Sequence, residues 1–158
     1  MSDEIVLRDY RTTDLDAMFQ LDQECFSAEF RFSFESIRMF AEEQGAVVRV
    51  AQNDDAEIAG FVIVHVESVA EVWRGYVVTL DVGAEYRGQG VARRLMEQVE
   101  ARVAAAGARL MELHVFTGNE GAIRFYERLG YERIAVRRRF YGKAGLDAFV
   151  YHKELSLM

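Results

Sequence analysis

Six consecutive residues, Arg87-Gly88-Gln89-Gly90-Val91-Ala92, have the types and the setting to hold a phosphate group. Just upstream, Tyr76-Val-Val-Thr-Leu-Asp-Val82 is rich in β-branched and aromatic residues, which predicts a buried strand. Just downstream, Val91, Ala92, Leu95, Met96, Val99 and Val103 recur at helical spacing, with Arg93, Arg94, Glu97, Gln98 and Glu100 facing away. Glycines between the two let the chain curl so that successive N–H groups point into one concavity. The first N–H groups of a helix lack internal partners and carry about half a positive charge. Strand, glycine turn and helix start together make an anion seat. The same glycines also suit a plain tight connection. Spacing narrows the choice of phosphate. Gly88-x-Gly90-x-x-Arg93 lacks the third glycine or alanine of a dinucleotide loop. Without Gly-Lys-Ser/Thr there is no nucleotide-triphosphate loop either.

What remains, Arg87-x-x-Gly90-x-Ala92, resembles the Arg/Gln-x-x-Gly-x-Gly/Ala signature of the GCN5-related N-acetyltransferases, the GNAT family. A second stretch, Asn119-Glu-Gly-Ala122-Ile-Arg-Phe125-Tyr126 running on to Leu129-Gly130-Tyr131, is similar to that family's Asn-x-x-Ala-x-x-Phe/Tyr-Tyr-x-x-x-Gly-Phe segment. The resemblance implies acetyl-coenzyme A as cofactor. Its pyrophosphate would lie on the amides of residues 87–92, and the backbone of Leu80 and Val82 would pair with its pantetheine arm. It also implies that Asn119 contacts coenzyme A and that Tyr126 stands beside the thioester sulfur. Asn119 also reads as a helix cap, and Tyr126 shares a face with the apolar Ala122, Ile123 and Leu129. A phenol of ordinary pKa near 10 can lend a proton to a thiolate whose conjugate acid lies near 8.5. No metal site is assigned.

Acetyl transfer needs a neutral amine. A protein α-amine has a pKa near 8 and lysine one near 10.4, so deprotonating lysine costs roughly 3 kcal/mol more. The candidate bases are His114 and Glu112, two residues apart on one predicted strand face, with Glu29 behind them. Family members acting on protein N-termini often carry glutamate where this chain has His114. Residues 135–155 are similar to the carboxy-terminal part of ribosomal-protein alanine and archaeal-type N-terminal acetyltransferases. By that likeness Tyr141 borders a peptide entrance, with Phe140 in place of a first tyrosine; Tyr141 also reads as an exposed hairpin aromatic. The favoured acceptor is a protein or peptide α-amine. A polyamine-like small amine is the rival, and a catalytically silent coenzyme A-binding module is the alternative class.

The elements that must position these residues are legible along the chain. Residues 5–9 form a strand; Thr13 caps a helix carrying Leu15, Met18, Phe19, Cys25 and Phe26; Ser33 caps a second one with Phe34, Ile37 and Phe40. Residues 46–51 and 57–67 are strands around a polar turn, and residues 70–74 turn into the central strand. After the long helix come a strand over 109–115, a helix from Asn119 to Gly130, and strands over 131–138 and 147–155. The order β-α-α-β-β-β-α-β-α-β-β is a mixed α/β (α+β) arrangement, neither doubly wound nor a bundle. It is also the order of the GNAT fold, so the resemblance covers the whole chain as a single domain over residues 1–158.

At 158 residues the chain can bury about two thirds of its unfolded surface. Half of its residues are hydrophobic, with no basic-led apolar leader and no run of roughly 20 apolar residues. A net charge of −7 argues against nucleic acid and suits a cationic substrate, leaving Arg87, Arg93, Arg94 and Arg124 to meet an anionic cofactor. The single cysteine, Cys25, has no internal disulfide partner and reads as a buried structural thiol in a cytoplasmic protein. Oligomeric state is open.

Overall fold

A computed structural model describes residues 4–142 and 145–156, so Lys143 and Ala144 of the last predicted turn lie outside the described residues. Seven strands form one sheet: β1 (Val6–Asp9), β2 (Ala46–Gln52), β3 (Ile58–Val69), β4 (Val72–Val82), β5 (Leu110–Phe116), β6 (Glu132–Tyr141) and β7 (Leu146–Glu154). Four helices accompany them: α1 (Leu15–Cys25), α2 (Phe34–Glu42), α3 (Val91–Ala105) and α4 (Glu120–Arg128). The sheet order is β1-β2-β3-β4-β5-β7-β6. Every pairing is antiparallel except β4 with β5.

The sheet has a core on each face. On one side Val62 and Val64 of β3 pack with Leu95, Met96, Val99 and Val103 of α3. On the other Phe61 and Ile63 pack with Leu15, Met18 and Leu21 of α1 and Ile37 of α2. That is why β3 is apolar without alternation: both of its faces are covered.

Two local predictions need correction. Thr13 does not cap α1; residues 12–14 form a short 3-10 turn and Asp14 precedes the helix. The Asp14 carboxylate accepts from the Arg11 backbone N–H and pairs with Arg8 at 2.8 Å, which a short threonine hydroxyl could not match. The connection over 70–74 is also tighter than expected. β3 and β4 run on to Val69 and Val72, joined by Ala70 and Glu71 with φ of 52° and 68°. Two left-handed residues match the twist of a two-residue hairpin, but neither is the usual glycine or asparagine. Ser33 does cap α2, accepting from Ser36 N–H at 3.1 Å.

Two irregularities of β4 open the sheet. The β3–β4 register steps from Ile63↔Thr79 to Val64↔Val77, so Val78 is an extra residue. One extra residue reverses which face later side chains take. Val77 therefore joins the α3-side core, while Asp81 points to Asp22 of α1 and Leu80 and Val82 turn to the α3 side. Further along, β4 and β5 pair only over Arg74–Tyr76 with Leu110–Glu112 and then part.

Candidate active site

The parting strands leave a cleft. Its wider part, about 540 Å³, is lined by Val77–Leu80 and Val82 of β4, Leu113–Phe116 of β5, Asn119, Tyr126, Tyr141, Cys25 at the end of α1, and Phe26, Phe30 and Phe32 of the α1–α2 connection. A second part, about 480 Å³, is lined by Arg87, Gly88, Gly90, Val91, Ala92, Arg93 and Arg128. Both share Val82, Arg87, Ala92, Gly121 and Phe125, so the two parts adjoin along that wall.

The narrow end is made from backbone. Gly88 and Gly90 have φ of +77° and +82°, values that L side chains rarely adopt, and a Cβ on either would point into open space. Gly90 stands at the N-terminus of α3, where no side chain caps the helix and the first turn holds no acidic residue. Buried Tyr86 anchors the loop by accepting from the Asn53 amide at 2.8 Å. Arg87 and Arg93 line this end as expected, and so does Arg128, which periodicity alone did not single out. Arg94 instead reaches the Ile5 carbonyl, and Arg124 lies 3.9 Å from Glu120. Gln89 donates to the Glu85 carbonyl and so braces the loop from outside. An anionic diphosphate fits here: bare helix amides, three flanking guanidinium groups, of which Arg93 also lies 4.0 Å from Glu97, and no carboxylate in the described lining.

The strand edge that leads from this end is the stretch of β4 beyond Tyr76, which has no strand partner on the β5 side among the described residues. Leu80 and Val82 lie on it; the Val82 carbonyl accepts from Arg87 Nε at 3.2 Å and from Cys25 Sγ at 3.4 Å. Burial pushes the Cys25 thiol up to about 11, which keeps it protonated. Across the cleft, Asn119 caps α4 by accepting from Ala122 N–H at 3.1 Å. Buried Tyr126 projects from α4 into the wide part, and its pKa is raised by burial and by Asp81.

At the wide end, three strands converge on His114. Its Nδ1 lies 2.7 Å from the Tyr76 hydroxyl, and its ring stacks on Phe140 with centroids 4.1 Å apart and planes 4° apart. Its Nε2 is buried and makes no hydrogen bond among the described residues. Burial lowers the His114 pKa against an opposing pull from Glu112, so the ring is neutral near pH 7. Burial pushes the Tyr76 phenol up to about 12. The stacking depends on an irregular β6–β7 turn. Between Arg137↔Ala148 and Tyr141↔Leu146 the register slips, Arg139 takes a φ of 54°, and its N–H donates to Asp147. That kink aims Phe140 at His114 and Tyr141 at Phe30, the latter pair edge-on at 4.8 Å.

The other base candidates sit elsewhere. Both Glu112 oxygens are engaged, one by Arg74 at 2.5 Å and one by His152 at 2.7 Å, and its carboxyl pKa is lowered despite burial. Glu29 is exposed, accepts from Ser27, and does not line the cleft; Phe30 occupies that wall instead. Tyr76 carries no local signal of its role, because its partner lies 38 residues away on a neighbouring strand.

The sequence matches the acetyltransferase (GNAT) family over residues 15–131. The N-terminal acetyltransferase A complex catalytic subunit ard1 of Schizosaccharomyces pombe is 31% identical over 69% of this chain and 63% of its own length. The N-terminal acetyltransferase B complex catalytic subunit NAA20 of Arabidopsis thaliana is 35% identical over 62% of this chain and 58% of its own. The match to an uncharacterized Mycobacterium leprae protein, 41% identical over 49% of this chain, spans 21% of that protein. The chain thus covers less than two thirds of these relatives. In fold it is similar to the Escherichia coli ribosomal-protein-S18-alanine N-acetyltransferase, with a TM-score of 0.83, 24% identity and coverage of 98% and 96% of the two chains. Arabidopsis thaliana NAA60 in complex with a bisubstrate analogue gives 0.84 at 22% identity, covering 98% and 100%. A glycine loop that bares a helix N-terminus, a splayed parallel strand pair, and a family match over most of its length place this chain in the acetyltransferase (GNAT) family.

Proposed function

We propose that the protein is an acetyl-coenzyme A-dependent N-acetyltransferase that acts on a protein or peptide N-terminal α-amine by direct transfer in a ternary complex. One observation carries the reading: the cavity at the anion seat of residues 87–92 adjoins the one lined by Tyr126 and His114, where β4 and β5 part. The bound cofactor supplies an acyl thioester, whose carbonyl carbon gains a bond to nitrogen as its bond to sulfur breaks.

The chain's own residues do the rest. Amides of Gly88, Gln89, Gly90, Val91 and Ala92 hold the diphosphate, and the β4 edge at Leu80 and Val82, which has no strand partner on the β5 side among the described residues, aligns the arm. Asn119 keeps its side-chain N–H₂ for the cofactor while its oxygen caps α4. Tyr126, kept protonated by burial, donates to the departing sulfur. In neutral His114, Nδ1–H donating to the Tyr76 oxygen leaves Nε2 as the acceptor, which takes the proton of the amine directly or through a water. Glu112 positions Arg74 and His152 and takes no proton itself. Placing amine and thioester together supplies much of the acceleration.

The peptide reading is favoured over a polyamine because the described lining of the cleft holds no aspartate or glutamate to receive a polycation. The net charge of −7 therefore misleads about the acceptor: the described acids lie outside the cleft. The relatives named for N-terminal acetylation support the same choice. A reducing cytoplasm suits the single protonated thiol at the cleft wall. Thiol release from acetyl-coenzyme A, measured with peptides of varied first residue against spermidine-like amines, tests the proposal. Turnover of α-amines supports it; activity confined to small amines, or none despite tight cofactor binding, overturns it.

A further inference from the structure

The wide end of the cleft has a charged rim that the proposed chemistry does not use. Strand β6 is exposed along its length and carries Arg137, Arg138 and Arg139 in a row. In register, Arg137 lies opposite Ala148 of β7, and Ala148 lies opposite Phe116 of β5. Directly paired residues share a sheet face. Arg137 is therefore on the face of Phe116 and His114, one small side chain away from the cleft wall. Arg74, the other guanidinium near Tyr76, is already balanced by Glu67 and Glu112. Arg133 pairs with Glu127 and with the Tyr151 hydroxyl. Arg137 and Arg138 have no ion-pair or hydrogen-bonding partner among the described residues. Between Arg137 and the cleft the lining offers aromatic rings and His114, with no carboxylate. In a chain of net charge −7, Arg137 thus sets an unpaired positive charge within reach of Tyr76 and His114.

We propose that Arg137 reads negative charge on the acceptor: the preferred substrate is a polypeptide whose residues just after its α-amine are acidic. This rests on the N-terminal acetyltransferase reading and names the substrate class of that same site. The first residue enters between Tyr141, Phe30 and Phe116. The next residues leave over the β6 edge, where an acidic side chain meets Arg137. The charge of Arg137 also reaches inward, disfavouring the protonated form of His114 and opposing the rise in the Tyr76 phenol. An acidic side chain at the rim would offset that field as it binds.

The test uses three peptides with the same first residue followed by Glu-Glu, Ala-Ala or Lys-Lys, at saturating acetyl-coenzyme A. A partly exposed ion pair sets the scale, so kcat/KM should favour Glu-Glu over Ala-Ala by about fivefold, mostly through KM, and the ratio should shrink at high salt. Arg137→Ala should bring the ratio close to one, Arg137→Lys should keep it, and Arg137→Glu should invert it toward Lys-Lys. Arg137 is exposed, so thermal midpoints and cofactor affinity of all three variants should match the parent protein. Equal kcat/KM for the three peptides, or a preference unchanged in Arg137→Ala and Arg137→Glu, overturns this inference alone. Turnover of spermidine with no turnover of any peptide overturns the acetyltransferase reading of the acceptor and this inference with it.

Discussion

The two ends of the cleft are built by different means. The narrow end is backbone: two left-handed glycines, an uncapped helix start and an unpaired strand edge. The wide end is side chains from β4, β5, the β6–β7 turn and the α1–α2 connection, held by ring stacking and one hydrogen bond between Tyr76 and His114. A backbone seat fails all at once when its conformation is lost, because successive amides share one geometry. A side-chain site fails in steps, one role at a time.

Substitutions at the two ends should separate these behaviours. The largest effect is expected for Gly90→Asp, which forces an L side chain to φ +82° and sets a carboxylate at the anion seat. Calorimetry should show cofactor affinity falling by about a hundredfold or more. Retained affinity would show that the diphosphate lies elsewhere. Next, Tyr126→Phe should lower kcat by about a hundredfold with cofactor affinity little changed, since the phenol acts on the departing sulfur. A similar loss in both quantities would mean that Tyr126 serves packing.

His114→Ala should have a smaller effect, about tenfold on kcat at neutral pH, because water can replace a mild base for an α-amine. Its signature is in the pH profile. The His114 pKa is lowered, so the parent enzyme should lose activity as pH falls through a value below the usual 6.5. That acidic limb should vanish in the variant. Tyr76→Phe should keep the limb but move it, since the phenol contacts Nδ1 directly.

The smallest effect concerns Asp22 and Asp81, both fully buried behind the cleft wall. Asp81 accepts from Thr79, Asp22 accepts from the Phe32 N–H, and burial and Asp22 hold the Asp81 pKa well above the usual carboxylate range. A raised folded-state pKa means this stabilisation is fully present below the unfolded value near 3.9 and is lost as pH rises through the folded value. Asp22→Asn replaces the carboxylate that faces Asp81 by a neutral amide that can donate to it. Its thermal midpoint should gain a few degrees on the parent at pH 8 and little at pH 5, a shift of the size that about 1 kcal/mol produces in such a domain. An equal change at both values would show that Asp81 keeps one protonation state between them.

The same contrast governs what could be read from the sequence. Element order, the residues of the anion seat and the caps at Ser33 and Asn119 are local patterns: glycine placement, helical periodicity, a hydroxyl or amide three residues ahead of a free N–H. Each is decided within one turn of chain. The base is not. Glu112 looked available beside His114, but Arg74 and His152, 38 and 40 residues away, hold its oxygens. Tyr76 was visible as a strand aromatic, and its contact with His114 depends on β4 lying parallel to β5. The left-handed Arg139 that aims Phe140 carries no glycine to signal it. Charge misled for the same reason: a sum over the chain cannot show that the carboxylates avoid one cleft.

A crystal structure of the protein with coenzyme A and an N-terminal peptide is the most direct measurement. The diphosphate should rest on the amides of residues 88–92, with the sulfur beside the Tyr126 hydroxyl and the peptide α-amine toward His114. A diphosphate bound away from the start of α3, or a sulfur remote from Tyr126, would contradict the account.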